Sequence, residues 1–252
     1  MRAILFDFGG TLDFPRHWLD RFLGHYRAAG LALTRAQLDL GFARATREAY
    51  RKSADLRHFG LAELIDYLVT AQLAELCEAG DPVTREVIET ARRCGKLSAM
   101  AAQISRTFVA ESRAGMAASA AVLETLAPRF KMGVVSNFYG NLERVLAEAG
   151  LARYFAAIAD SSRVGVFKPD IGLFTFALER MGVGPHAAAM VGDSLDKDCA
   201  PARRLGITAI WLPGGDLPNV AGTAAASATA DFTIAALAEL KDLQWWRESA
   251  ER

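Results

Sequence analysis

The sequence has no excess of charge of either sign: 29 Lys and Arg residues stand against 29 Asp and Glu. Nucleic-acid binders ordinarily carry a basic excess, so that class is excluded as a property of the whole surface, though not a local basic pocket. Long apolar runs are missing as well. The longest stretch without a charged side chain covers residues 217–230, is rich in Ala, Thr and Ser, and contains Pro218. A membrane span takes about 20 predominantly apolar residues, so no spanning helix is expected. At the start, Ala3-Ile4-Leu5-Phe6 is cut off by Asp7, too short a run for the core of a secretory signal. Cysteine is scarce. Cys77, Cys94 and Cys199 are odd in number, widely scattered and without paired ligand spacing, which argues against a disulfide framework and for reduced thiols in the cytoplasm. Histidine is equally sparse, and His25, His58 and His186 show no metal-ligand spacing.

What is present is ordinary globular material, 52% hydrophobic and 23% charged over 252 residues, enough for one large domain or a core with an insert. Residues 3–6 form a continuous apolar run followed closely by Gly9-Gly10, the pattern of a buried parallel strand with Asp7 at its carboxyl end. From residue 16 to about 111 the periodicity is helical throughout. Trp18, Leu19, Phe22, Leu23 and Tyr26 share one face, and Thr34 with Gln37 makes a capping box. Residues 61–79 form a third helical stretch, ended by Gly80-Asp81-Pro82. Thr84 is placed to cap a fourth helix, with Val83 and Ile88 as a hydrophobic staple. After Met116 a helix over 117–126 leads into alternating elements. Strands are expected at 132–135, 155–159, 188–191, 207–212 and 231–234, with helices at 142–149 and around Ile171, Phe174, Leu178 and Met181. This alternation predicts an α/β fold, a Rossmann-like parallel sheet core of residues 1–15 and 112–252 split by a helical domain of residues 16–111. Residues 221–230 read as a helix or a loop. Trp245-Trp246 reads as closing the core, or else as a dimer contact.

Four polar clusters interrupt the apolar pattern: Asp7-Phe8-Gly9-Gly10-Thr11, Ser136-Asn137, Lys168-Pro169-Asp170, and Gly192-Asp193-Ser194-Leu195-Asp196-Lys197-Asp198. Three of them follow strands directly. If those strands are parallel neighbours, their carboxyl ends gather carboxylates, a hydroxyl, an ammonium and backbone amides in one crevice, where open α/β sheets place ligands. Such a set suits phosphoryl transfer, in which catalysis is mostly positioning and charge neutralisation. Taken singly, each cluster is also a turn or a helix cap, and Asp170 and Asp196 are read as structural, Asp170 as an N-cap.

In order and spacing the four clusters resemble the haloacid dehalogenase superfamily, and the helical insert falls where that family's first type of cap belongs. The resemblance covers the whole chain and implies a phosphatase-like hydrolase with Mg²⁺ as cofactor and a small phosphorylated molecule as substrate, working as a monomer or homodimer with no nucleic-acid or membrane partner. It implies Asp7 as the nucleophile that takes the phosphoryl group, and Ser136 and Lys168 as the residues that hold and neutralise it, with Gly10, Thr11 and Asn137 beside them. It makes Asp7, the Gly9 carbonyl, Asp193 and Asp198 the metal site, Asp198 directly or through water.

One position departs from the pattern. Most phosphatases of the family carry a second Asp two residues after the nucleophile as general acid and base, and here that residue is Gly9. Three readings follow: a substrate whose leaving group needs little protonation, such as an acyl or anomeric phosphate; a proton from elsewhere, with His17 or Asp13 as candidates; or a catalytically impaired binding or regulatory protein. A dehalogenase is disfavoured by Asp193 and Asp198, since that branch works without metal. A phosphonatase needs a Schiff-base lysine early in the insert, where only Lys52 stands. Substrate choice would belong to the insert. Its first part, residues 16–58, holds nine Lys and Arg against four acids, read as a solvated helix face rather than an anion-attracting surface.

Overall fold

The computed structural model describes residues 2–214 and 229–243. In chain order the elements are β1 (Ala3–Phe6), α1 (Trp18–Ala28), α2 (Arg35–Arg51), the short α3 (Ser53–Leu56), α4 (Leu61–Ala79), α5 (Pro82–Arg93) and α6 (Leu97–Leu126). They continue with β2 (Lys131–Ser136), α7 (Leu142–Glu148), β3 (Phe155–Asp160), α8 (Ser161–Val164), α9 (Gly172–Met181), β4 (Ala188–Gly192), α10 (Ala200–Arg204), β5 (Thr208–Trp211) and β6 (Phe232–Thr233). Two compact units result, one of residues 1–17 and 113–252 and one of residues 18–112. Residues 221–228 and Trp245-Trp246, for which the sequence suggests a helix or loop and a core or dimer contact, lie outside the described residues. Among the described residues no helix is long and apolar enough to cross a membrane.

The first unit is a Rossmann-like α/β fold. Its six strands are all parallel in the order β3-β2-β1-β4-β5-β6. Every residue of β1 is buried, as a strand covered on both faces requires. Because β1 lies between β2 and β4, with Phe6 opposite both Val134 and Val191, the residues that follow these three strands emerge side by side. The apolar face of α9, formed by Leu173, Phe174, Ala177, Leu178 and Met181, packs with Leu5, Val135, Ala159 and Met190 in the core. The close fit passes through Gly133, where a Cβ would stand 2.8 Å from the Met181 sulfur.

The second unit is helical. The Thr34–Gln37 capping box forms as the sequence predicts, with the Gln37 N–H donating to the Thr34 hydroxyl at 3.3 Å and the Thr34 N–H donating to Gln37 Oε1 at 2.8 Å. The fourth cap differs from expectation. Asp81, not Thr84, caps α5: its Oδ1 accepts from the N–H groups of Val83 and Thr84 at 3.0 and 3.1 Å. Pro82 explains the shift, because its fixed φ suits the first helical position and moves the start of the helix ahead of Thr84. Val83 is then 70% exposed, so no staple forms. The expected helix at 117–126 is the end of the 30-residue α6. Gly115, which could pass for a break, is where α6 meets the chain after β1: a Cβ there would lie 1.9 Å from the Asp13 carbonyl oxygen. Among the nine basic residues of 16–58, Arg35 makes an ion pair within the unit with Asp20, Arg44 with Glu75, and Arg51 and Lys52 both with Glu48.

Within this unit the Arg21 side chain is wholly buried. Its Nε donates to Glu111 Oε2 at 2.7 Å, its Nη2 donates to the Ser112 hydroxyl at 2.6 Å, and the guanidinium lies 4.0 Å over the Phe108 ring. Burial alone would push the Glu111 carboxyl up, but hydrogen bonds from His25 and Arg21 bring it down to about 2. Removing the anion leaves a desolvated guanidinium without its counter-charge. Glu111→Ala is therefore expected to lower the unfolding free energy by about 3 kcal/mol, the low end of the range for breaking a buried ion pair because Glu111 is itself partly solvated. Urea unfolding checks this, and a change under about 1 kcal/mol would mean that Ser112 and Phe108 suffice for Arg21. Because the folded-state pKa is depressed, the carboxylate's contribution is present above its unfolded value of about 4.3 and is lost as pH falls toward 2.

Candidate active site

The site grows from the ends of β1, β2 and β4. Asp7 continues β1 in extended conformation, and its N–H donates to the Val191 carbonyl at 2.9 Å. The chain then turns sharply through residues 8–12. Gly10 adopts φ +88, and a Cβ there would stand 2.3 Å from Asp193 Oδ2, so only glycine lets this turn lie against the acid at the end of β4. A second glycine does the same one strand away: a Cβ on Gly192 would stand 2.3 Å from Asp198 Oδ2. Gly9 is different. Its φ −75 and ψ 116 are open to any L residue.

Lys168 arrives from the loop between α8 and α9. Its ammonium donates to Asp7 Oδ1 at 2.8 Å and to Asp198 Oδ1 at 2.5 Å, with the side chain only 3% exposed. Asp198 Oδ2 accepts from the Ser194 N–H at 3.0 Å, so both of its oxygens already have donors. Asp193 is held by its main chain, its carbonyl accepting from Trp211 Nε1 at 2.8 Å. No donor among the described residues reaches its carboxylate. Ligand atoms of Asp7, Asp193 and Asp198 lie within 4.8 Å of one another. Ser136 ends β2, buried, with Asp160 opposite it on β3.

The electrostatics follow from three carboxylates sharing one ammonium. Burial pushes Asp193 well above the usual carboxylate range, and the neighbouring Asp7 and Asp198 add to the effect. Asp198 is raised to about 6, because burial outweighs the opposing attraction of Lys168. Burial would lower the Lys168 pKa, but the Asp198 and Asp7 carboxylates together raise it, so the ammonium stays charged. The imbalance sits at Asp193 beside Asp7, which is the environment a hard cation with oxygen ligands relieves.

Of the residues the sequence singles out, Asp7, Lys168, Asp193 and Asp198 come together in direct contact or within a few ångströms. Several others make bonds within the protein. The Gly10 N–H donates to Asp13 Oδ1 at 2.9 Å rather than standing open to a ligand. The Thr11 hydroxyl is buried, the residue being 1% exposed. The Asn137 amide turns to the main chain of Lys168. Asp13, considered as a proton donor, is fully buried and holds the Gly10 N–H, while His17 is exposed. Asp170 accepts from the Gly172 N–H at 2.8 Å, but it is not the N-cap expected of it: Ile171 holds that position at the start of α9, and Asp170 closes the turn one residue before it. Asp160 is a residue the sequence pattern does not bring forward. Its carboxylate accepts from the N–H groups of Gly140, Leu142 and Ser162 and fixes the loop after Ser136. Its one sequence signal is an acid followed by two serines at a strand end.

The family model described as haloacid dehalogenase-like hydrolase matches residues 1–206. The chain belongs to this family. Among curated relatives, it is 32% identical over 221 residues to haloacid dehalogenase-like hydrolase domain-containing protein 3 of Danio rerio, covering 84% of this chain and 85% of that one. It is 36% identical over 141 residues to a phosphoserine phosphatase of Thermus thermophilus. That match covers 54% of this chain and spans about half the relative's length, 55%. Among solved structures, the L-2-haloacid dehalogenase of Xanthobacter autotrophicus aligns with a TM-score of 0.57 at 19% identity, over 96% of this chain and 98% of that one. At that identity the likeness concerns the fold alone. As a haloacid dehalogenase-like hydrolase, the chain presents the Asp7 carboxyl, a fixed ammonium and the Asp193 and Asp198 carboxyls at one sheet edge.

Proposed function

We propose that this hydrolase cleaves a small phosphorylated molecule, a phosphoric monoester or acyl phosphate, through a phosphoryl group carried on Asp7. The observation that carries this reading is the Lys168 ammonium shared between Asp7 and Asp198, with the Asp193 carboxylate beside them left without a donor. An Asp7 oxygen attacks phosphorus, the bond to the leaving oxygen breaks, and the phosphoryl group passes to Asp7. Water then attacks that phosphorus, the bond between phosphorus and the Asp7 oxygen breaks, the water's proton passes to solvent, and phosphate leaves with the Asp7 carboxylate restored. Lys168 neutralises charge on Asp7 and on the phosphoryl oxygens, and Ser136 holds one of those oxygens. Asp198 keeps Lys168 in place and charged. The residues present fit Mg²⁺: Asp7, Asp193 and the Gly9 carbonyl would hold it, with Asp198 outside them because both its oxygens have protein donors. When bound, the metal supplies positive charge that relieves the repulsion between Asp7 and an anionic substrate. The helical unit of residues 18–112 is proposed as the cap that excludes water and selects the substrate, and the cytoplasm as the place of action. The phosphoserine phosphatase of Thermus thermophilus and a glyceraldehyde 3-phosphate phosphatase of Methanocaldococcus jannaschii, 28% identical over 123 residues, support the substrate class. Lys52, ion-paired with Glu48 at 3.2 Å, gives no support to a phosphonatase.

The second reading, ligand binding without turnover, is favoured by Gly9, which leaves the first turn without a general acid. Assays on a panel of phosphate esters and acyl phosphates separate the two. Turnover with Mg²⁺ that drops by more than about 10²-fold on chelation, and returns when the metal is restored, is the expected outcome. Hydrolysis of none of the panel under any metal condition overturns the hydrolase reading in favour of the binding one.

A further inference from the structure

Asn137 presents its amide edge to Lys168 in the way a neighbouring strand would. Its Oδ1 accepts from the Lys168 N–H at 2.8 Å, and its Nδ2 donates to the Lys168 carbonyl at 3.0 Å. One side chain thereby takes both main-chain polar groups of the lysine. The next carbonyl is held as well, since Arg204 Nη2 on α10 donates to the Pro169 oxygen at 2.7 Å. Three consecutive main-chain groups at 168–169 are thus fixed, in a loop that is otherwise irregular.

The consequence lies at the far end of the side chain. A lysine is a point charge on a flexible four-carbon stem, so the place of its ammonium depends on where its Cα is anchored. Asn137 directly follows Ser136, the end of β2, and β2 pairs with β1, which carries Asp7. The bracket therefore ties the origin of the Lys168 side chain to the strand bearing the phosphoryl-holding hydroxyl, next to the strand bearing the nucleophile. We infer that Asn137 is a positioning residue that holds Lys168 so that its ammonium spans Asp7 and Asp198, with no part of the Asn137 amide needed for contact with substrate. The catalytic consequence rests on the function proposed above, whereas the positioning itself does not.

The experiment has two arms on the full chain. In the first, lysines are labelled with acetic anhydride under native conditions and read by mass spectrometry, with the exposed Lys197 as internal reference. Lys168 is expected to be protected in the wild type and labelled about tenfold faster in Asn137→Ala. Asn137→Asp keeps the acceptor for the Lys168 N–H but loses the donor for its carbonyl, and should fall between the two. In the second arm, on whichever phosphate compound the wild type hydrolyses, Asn137→Ala should lower kcat about tenfold to 10²-fold, as a small misplacement of a catalytic group does, with KM changed less than about twofold. Thermal unfolding of both variants checks that the fold is kept. Unchanged protection of Lys168 in Asn137→Ala overturns the inference. So does a rise in KM with kcat intact, which would make Asn137 a substrate contact. If the wild type turns over no phosphate compound, the proposed function falls, and the labelling arm alone still supports or overturns the bracket.

Discussion

Asp7→Asn is expected to reduce turnover by more than about 10⁴-fold, the range in which loss of a catalytic nucleophile falls. The substitution is nearly isosteric, and the Asp7 N–H bond to the Val191 carbonyl is a main-chain bond that survives it. The fold should therefore be unchanged, and the loss chemical. The amide can no longer offer a negatively charged oxygen to phosphorus, and its NH₂ would face the Lys168 ammonium that now bonds Asp7 Oδ1 at 2.8 Å. The rotamer that turns the amide oxygen toward Lys168 removes the clash but restores no nucleophile. Steady-state assays, with unfolding midpoints measured in parallel, check the outcome. Residual activity within tenfold of wild type would show that water attacks directly, with Asp7 only a stabiliser, and the covalent route would be abandoned. A second measurement bears on the same point: acid-quenched protein should carry phosphate when Asp7 is present and none in Asp7→Asn.

The features of this site that can be read from the sequence are those written into short stretches. An apolar run closed by Asp7 and two glycines gives a strand and the residue at its end, and Gly192-Asp193 repeats the pattern at β4. Lys168 is recognisable only in company with them. The residues that hold these groups in place are not legible. Asp160 meets its three N–H partners 2 to 20 residues away, and Asn137 meets Lys168 across 31. Arg21 and Glu111 are separated by 90 positions. Side chains that bond distant main-chain groups leave no periodicity behind, because their spacing is set by the return of the sheet and the length of the helices. The Thr84 assignment fails for a local reason: Pro82 at the first helical position makes Asp81 the cap. The closeness of Gly10 to Asp193 is a property of neighbouring strands, and that of Gly192 to Asp198 a property of how the chain turns back after β4, so neither can be read from spacing.

Gly9→Asp is expected to raise hydrolysis of simple alkyl phosphates by about 10²-fold, the lower part of the range for a positioned general acid and base. The backbone permits the change, since φ −75 and ψ 116 at position 9 suit an L residue as well as glycine. This sets it apart from Gly10, whose positive φ and closeness to Asp193 would turn any side chain there into a clash. The gain should depend on the leaving group. An alkoxide leaves poorly without a proton, whereas an acyl phosphate expels a carboxylate that needs none, so acyl phosphates should change by only a few-fold. The ratio of the two effects in one variant is the measurement, because a general change in folding or metal affinity would move both substrates together. An equal gain on both would point to improved metal binding through the new carboxylate. No gain on the alkyl ester, with the variant folded and the wild type active on it, would mean that wild type already receives its proton. That donor would have to lie outside the first turn, since Asp13 there is fully buried and holds the Gly10 N–H.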